Sequence, residues 1–169
     1  MNEAEPHTRY HGAGYRVTHP DYRDFNRTVE VSRTHPSRFN PIDVWAVYVA
    51  LSRNVAIEEL KRRATHLGRS IISFIPRSIF LIEISIHKCL DLAHANVRAA
   101  SNITLRDLRA TSFVLCHKVA LAARNEGYAA ICCPSATGQG ENLVIHPDIL
   151  LDASNLAIVD EKPLDLDKV

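Results

Sequence analysis

The run from Trp45 to Leu60, WAVYVALSRNVAIEEL, constrains the fold more than any other stretch because its hydrophobic period changes at Ser52. Before Ser52 the apolar positions alternate, as they do in a strand, and after it they recur at helical spacing. The hydroxyl of Ser52 can accept a hydrogen bond from the first helical turn, so a strand, an N-cap and a helix are predicted in that order. Glu59 then lies about two turns into the helix.

Length and composition favour one domain with a proper core. The chain has 169 residues, 46% of them hydrophobic, and a formal charge of +1 with a pI of about 7.8. Such a balance does not attract polyanions, so direct nucleic-acid binding is disfavoured. Because the N-terminus lacks a signal-peptide pattern and no apolar run approaches roughly 20 residues, we expect a cytoplasmic protein without a membrane span. The four cysteines show no CxxC spacing, so we predict reduced thiols. We predict neither a metal site nor a cofactor.

Strand and helix patterns are mixed without a regular β-α-β rhythm, which predicts an α+β fold with a mixed or antiparallel sheet and flanking helices. Residues 1–14 are predicted to be a loose arm, 15–160 the folded domain and 161–169 a charged tail. A long loop is expected through Pro41. Strands are predicted at 15–17, 45–51, 79–86, 128–133, 142–146 and 156–159, with 79–86 central. Helices are predicted at 53–66, 89–95 and 112–126, and 106–109 is predicted to be an exposed turn of helix or a loop. Neither GxGxxG nor GxxxxGK[ST] occurs, so the usual nucleotide loops are absent.

An arginine, a tyrosine and a glutamate fall on consecutive elements here, as Arg38, Tyr48 and Glu59, and this trio suggests an enzyme site. Asn40 precedes Pro41, which favours an extended backbone and predicts that its side chain is held out. Each residue also has a simpler interpretation: a solvated glutamate, a half-buried strand tyrosine or a surface arginine. Glu58 points about 100° away from Glu59 on the helix and is the internal control.

The order and spacing of four segments resemble the RES domain family, named for its Arg, Glu and Ser residues. The resemblance covers about residues 15–146. Its members are toxins of bacterial toxin–antitoxin pairs. Two positions depart from the family pattern: Pro36-Ser37 stand where a glycine pair often precedes the Arg-aromatic-Asn-Pro motif, and His146 stands where an aromatic residue is common. The segments are Tyr15-Arg16-Val17, Arg38-Phe39-Asn40-Pro41, residues 47–52 with 56–59, and residues 127–145 with Pro134-Ser135-Ala136.

The resemblance implies an ADP-ribosyltransferase-like fold and destruction of NAD by hydrolysis or phosphorolysis, with NAD as substrate and phosphate as a second candidate substrate. Cleavage of the nicotinamide–ribose bond passes through an oxocarbenium-like state that a carboxylate stabilises, so Glu59 is the catalytic candidate. Arg16 or Arg38 can hold the diphosphate, and Tyr48 can stack on nicotinamide. Ser135 can hydrogen-bond a phosphate or the nicotinamide amide, and it forms the substrate-binding set together with Arg38, Asn40 and Ser52.

The resemblance also implies a partner, an antitoxin with a helix-turn-helix domain of the Xre type, and a homo-oligomer is left open. Two alternative functions remain open in addition to NAD degradation. The same pocket can transfer ADP-ribose to a macromolecule, and a fold of this kind can serve as a non-catalytic interaction module.

Overall fold

A long central strand organises the molecule, whose computed structural model describes residues 7–151 and 154–165. The strands are β1 His7–Thr18, β2 Val47–Ala50, β3 Ser78–Asp91, β4 Ala130–Pro134, β5 Glu141–Ile145 and β6 Asn155–Pro163. The central strand, β3, pairs with β1 along one edge, while its other edge is shared between β6 over Ser78–Ser85 and β4 over Cys89–Asp91. The sheet order is β1-β2-β5-β4-β3-β6, and the β1–β3 pairing closes five strands into a ring. Among the strands of the described residues, only β3 and β4 run parallel, so the predicted mixed sheet is confirmed, as is the central position of β3.

Five helices flank the sheet. They are α1 Phe25–Thr34, α2 Arg53–His66, α3 Ala95–Ala100, α4 Leu105–Arg109 and α5 Val114–Asn125, with short 3-10 turns at Pro20–Tyr22, Ile71–Phe74 and Pro147–Ile149. The bounds of α2 are those predicted, and the predicted helix at 112–126 is confirmed as α5. Residues 106–109, predicted to be a turn of helix or a loop, are helical in α4.

Alternate residues of the strands enter two different core clusters. Val47 and Val49 of β2 pack with Leu143 of β5 and with the isoleucines of β3 in one cluster. Tyr48, between them, faces the other cluster, which α3, α4 and α5 cover. Burial of each such aliphatic side chain contributes roughly 1.5–3 kcal/mol, so the alternation fixes which side of β2 meets the helices.

The helix that carries Glu59 is positioned by its cap and by its apolar face. Ser52 accepts a hydrogen bond from the Val55 backbone amide at 3.2 Å, which confirms the predicted N-cap. The buried face consists of Val55, Ala56, Ile57, Leu60 and Ala64. Glu59 lies at the border of this face and is partly buried, which directs its side chain toward the ends of β4 and β5.

Two predictions for the first forty residues are wrong. Residues 7–14 are strand and not a loose arm, because β1 pairs with β3 from His7 to Thr18; residues 1–6 lie outside the described part of the chain. The predicted loop contains α1, whose N-cap Asp24 accepts a hydrogen bond from the Asn26 amide at 2.9 Å. Burial of Val29 against the sheet stabilises a helix that propensity alone does not reveal.

Two further boundaries were misplaced for a similar reason. The segment predicted to be a helix at 89–95 continues β3 to Asp91, because pairing with β4 overrides the local pattern, and α3 begins only at Ala95. The predicted tail begins inside β6, since residues 161–163 pair with the start of β3; residues 166–169 lie outside the described residues. The four cysteines are buried and free, as predicted.

Candidate active site

The carboxylate of Glu59 is the centre of a hydrogen-bonded group drawn from three elements. Its Oε1 atom accepts hydrogen bonds from Ser135 Oγ at 2.6 Å and from Asn142 Nδ2 at 2.8 Å. Ser135 directly follows β4, Asn142 lies in β5, and Glu59 is in the second turn of α2. Both donors bind the same oxygen, and no hydrogen bond to Oε2 is found among the described residues.

Ser135 is a fixed part of this group and not a flexible turn residue. Its side chain is fully buried, and its Oγ atom accepts a hydrogen bond from the Thr137 amide at 3.1 Å while donating to Glu59. The loop is closed by a hydrogen bond from the Ser135 amide to the Gly140 carbonyl at 2.9 Å. Ser135 therefore orients the Glu59 carboxylate, since its proton is already engaged with that carboxylate.

Tyr48 and Asn40 form a second group that braces the Arg38-to-Asn40 segment. The Tyr48 hydroxyl donates to Asn40 Oδ1 at 2.8 Å and accepts from the Phe39 amide at 2.8 Å. Asn40 is 1% exposed and donates to the carbonyls of Ser32 and His35, so the prediction that its side chain is held out is wrong. Burial raises the pKa of Tyr48 well above its ordinary value, which keeps the hydroxyl protonated and able to donate.

Each of the two predicted arginines donates a hydrogen bond to a backbone carbonyl, and Nε of Arg16 is buried without a partner among the described residues. Arg38 Nη1 donates to the Ala110 carbonyl at 3.0 Å, and its guanidinium lies 4.9 Å from the centre of the Phe113 ring. Arg16 Nη1 donates to the Tyr48 carbonyl at 3.4 Å. Burial, with a smaller contribution from the charge of Arg63, lowers the pKa of Arg16 to about 10, so it remains a cation at neutral pH.

A cleft of about 470 Å³ adjoins the Glu59 group. Pro134 and Glu141, which line it, directly precede Ser135 and Asn142, and Ser52 lines it from the start of α2. Of the predicted site residues, Ser52 lines the cleft, while Glu59 and Ser135 adjoin it through Pro134 and Glu141. Arg16 and Arg38 are not among its lining residues. The lining residues are Leu51, Ser52, Ala93, Arg98, Leu105, Arg109, Pro134, Gly138, Gly140 and Glu141.

Close packing holds the loop of residues 135–140 against α2. Gly140 has a φ of +61°, and a Cβ atom there would lie 2.6 Å from Val55 Cγ2. Only glycine combines that backbone conformation with that approach. The loop that carries Ser135 is therefore held directly over the first turn of the helix that carries Glu59.

The sequence did not reveal the roles of Asn142, Arg98 and Arg109. Strand alternation offered a signal for Asn142, because it shares a face of β5 with Val144, which packs against the helical side of the sheet. Arg98 and Arg109 lie on short helices that only the tertiary structure brings to the cleft. Among the residues the structure describes, no group of three or more His, Cys, Asp or Glu side chains is arranged to hold a metal ion.

Fold and site together define a mixed α+β protein with a carboxylate held by two neutral donors at the edge of a ligand-sized cleft. The model of the RES domain family matches residues 13–167, and the chain belongs to that family. Its fold is similar to that of a chain in the crystal structure of the M. tuberculosis MbcT–MbcA toxin–antitoxin complex. The two share 22% sequence identity and a TM-score of 0.83, over 94% of this chain and 86% of that one. Among curated proteins, none matches the chain. No described helix has the length and apolar character needed to cross a bilayer.

Proposed function

We propose that this protein is the toxin of a toxin–antitoxin pair and cleaves the nicotinamide–ribose bond of cytoplasmic NAD, by hydrolysis or phosphorolysis. The observation that supports this proposal is the Glu59 carboxylate, held through Oε1 by Ser135 and Asn142 at the edge of the cleft. Membership of the RES domain family and the fold shared with a chain of a toxin–antitoxin complex support the biological role.

The geometry suits a reaction in which positive charge develops on a ribose. As the bond to nicotinamide lengthens, the ribose approaches an oxocarbenium ion, and a fixed carboxylate stabilises that charge without reorganising. Ser135 and Asn142 fix Oε1, so Oε2 can face the ribose and accept a hydrogen bond from one of its hydroxyls. Nicotinamide leaves as a neutral base, and water or phosphate then attacks the ribose carbon.

Incubation of the purified protein with NAD, with and without phosphate, tests the proposal. Nicotinamide release is followed over time, and the second product is identified by mass as ADP-ribose or its phosphorylated form. Release no faster than that of a Glu59→Gln control under both conditions would sink the proposal. If biotinylated NAD instead labels a macromolecule, the protein is a transferase.

The proposed partner is a helix-turn-helix antitoxin of the Xre type. Thermal unfolding measured with millimolar NAD, and separately with the protein encoded by the adjacent gene, tests this pairing. We expect both to raise the melting temperature, because each binds the folded state. Stabilisation by the neighbouring protein alone would favour a non-catalytic interaction module.

A further inference from the structure

NAD carries a diphosphate one ribose away from the bond that breaks, and Arg16 and Arg38 are the two arginines predicted from sequence to bind it. Arg38 is bonded to the Ala110 carbonyl and stacked on Phe113, and Arg16 is bonded to the Tyr48 carbonyl. Neither lines the cleft. If the substrate lies in the cleft with its nicotinamide ribose at Glu59, a cation that lines the cleft is placed to meet the diphosphate.

Helix α4 contributes an arginine and a leucine to the lining of the cleft. Leu105 and Arg109 are four residues apart, so they share one face of the helix, and both line the cleft. Within residues 7–151 and 154–165, the side chain of Arg109 makes no hydrogen bond or ion pair. Leu105 is 40% exposed. An exposed leucine beside an unpaired arginine matches the apolar and anionic parts of a nucleoside diphosphate.

The structure holds α4 firmly in place. Thr104 and Asp107 form a reciprocal capping box, with Thr104 Oγ1 donating to Asp107 Oδ2 at 2.6 Å. Leu108 is 1% exposed and belongs to the core. At the far end Arg38 bonds to the carbonyl of Ala110, the residue that follows Arg109. A fixed helix presents its side chains to a ligand with little loss of conformational entropy.

The charged residues that line the cleft include two arginines and one glutamate, which favours binding of an anion near the arginines. These charged residues are Arg98, Arg109 and Glu141. Arg98 Nη1 donates to the carbonyls of Leu92 at 2.8 Å and Ala93 at 2.7 Å, which anchors a second cation in the lining of the cleft. A guanidinium is suited to diphosphate because its donors can engage two oxygens at once.

We propose that the cleft face of α4 binds the ADP moiety of the substrate, with Arg109 on the diphosphate and Leu105 against the adenosine. This inference rests on the proposed function, since it takes NAD as the substrate. It makes Arg109 and Leu105 specificity-determining residues that favour dinucleotides over nicotinamide riboside, which lacks the ADP moiety.

Calorimetric titration of ADP into the full chain tests the site independently of catalysis. Arg109→Gln should weaken ADP binding by roughly tenfold or more, as expected for loss of a charge-assisted hydrogen bond. Leu105→Ala should weaken it several-fold. The control is Arg106→Gln, an exposed neighbour on α4 that does not line the cleft, and it should stay within about twofold of wild type.

The outcomes separate this inference from the proposed function. Equal ADP affinity in wild type and Arg109→Gln, or no ADP binding by the wild type at millimolar concentration, would overturn it. Where NAD is turned over, Arg109→Gln should raise KM with little change in kcat, because ADP is distant from the reacting bond. Arg109-dependent ADP binding without any NAD turnover would support the ADP site while the proposed function failed.

Discussion

Replacing Glu59 with Gln removes the charge of the site and keeps its shape. In the wild type, Glu59 Oε1 accepts from Ser135 at 2.6 Å and from Asn142 at 2.8 Å. A glutamine whose carbonyl oxygen takes the Oε1 position can accept both hydrogen bonds, so the variant should fold as the wild type does. The negative charge that faces the developing oxocarbenium ion is lost. Loss of one such preorganised group lowers turnover by roughly 10²–10³-fold, or about 2.7–4 kcal/mol of transition-state stabilisation.

Glu58→Gln is the matched control, because it makes the same chemical change one residue away. Glu58 pairs with Lys61 at 3.0 Å on the helix surface, where the two side chains are 39% and 40% exposed. An exposed pair of this kind contributes about 0.3–0.5 kcal/mol to stability. We therefore expect Glu58→Gln to keep the wild-type rate within about twofold and to lower the melting temperature only slightly.

The measurement is the initial rate of nicotinamide release at saturating NAD, together with the thermal unfolding of each variant. A Glu59→Gln rate above about a tenth of wild type would refute the electrostatic role. So would an equal loss of activity in Glu58→Gln. Unchanged unfolding of Glu59→Gln is required for either result to be interpreted as chemistry.

Three other predictions concern the scaffold of the site. Ser135→Ala should lower the rate roughly tenfold and the unfolding free energy by about 1–3 kcal/mol, because it leaves a buried carboxylate oxygen short of a donor; rate and urea unfolding report the two effects. Gly140→Ala should destabilise the protein by about 1–3 kcal/mol more than Gly138→Ala, since both have positive φ but only the Cβ at residue 140 meets Val55, and equal urea midpoints would contradict this. Burial lowers the pKa of His146 from 6.5 to about 4, so the unfolded state binds the proton first and stability is lost as pH falls from 6.5 towards 4. The loss between pH 7 and pH 5 should be about 2 kcal/mol and should be absent in His146→Gln, measured by urea unfolding at both pH values.

Local chemistry made the strand-to-helix segment predictable from sequence. The change of period at Ser52, together with its capping hydroxyl, gave the start of α2 and its full extent to His66. These signals involve residues within one helical turn of each other, so no tertiary contact is needed to interpret them. The same locality explains why α5 was also predicted.

Long-range pairing explains the elements that sequence missed. The end of β3 looks helical in isolation, yet Cys89 and Asp91 pair with residues of β4 some forty positions later. β1 extends back to His7 because β3 offers an edge along its whole length. Pairing partners that are distant in sequence leave no local period, and this limit applied equally to the site: Glu59 and Asn142 are 83 positions apart.

The residues of the motifs shared with the RES domain family make different kinds of contact in the structure. Glu59 and Ser135 form the group at the cleft, whereas Tyr48 and Asn40 brace the segment that carries Arg38. Arg38 in turn bonds to the carbonyl just after Arg109, which lies at the end of α4. Because that bond fixes the helix that lines the cleft, Arg38 can affect substrate binding without touching the substrate. Under the proposed ADP site, Arg38 of the motif is a positioning residue, and Arg109, which meets the ligand, stands outside the motif.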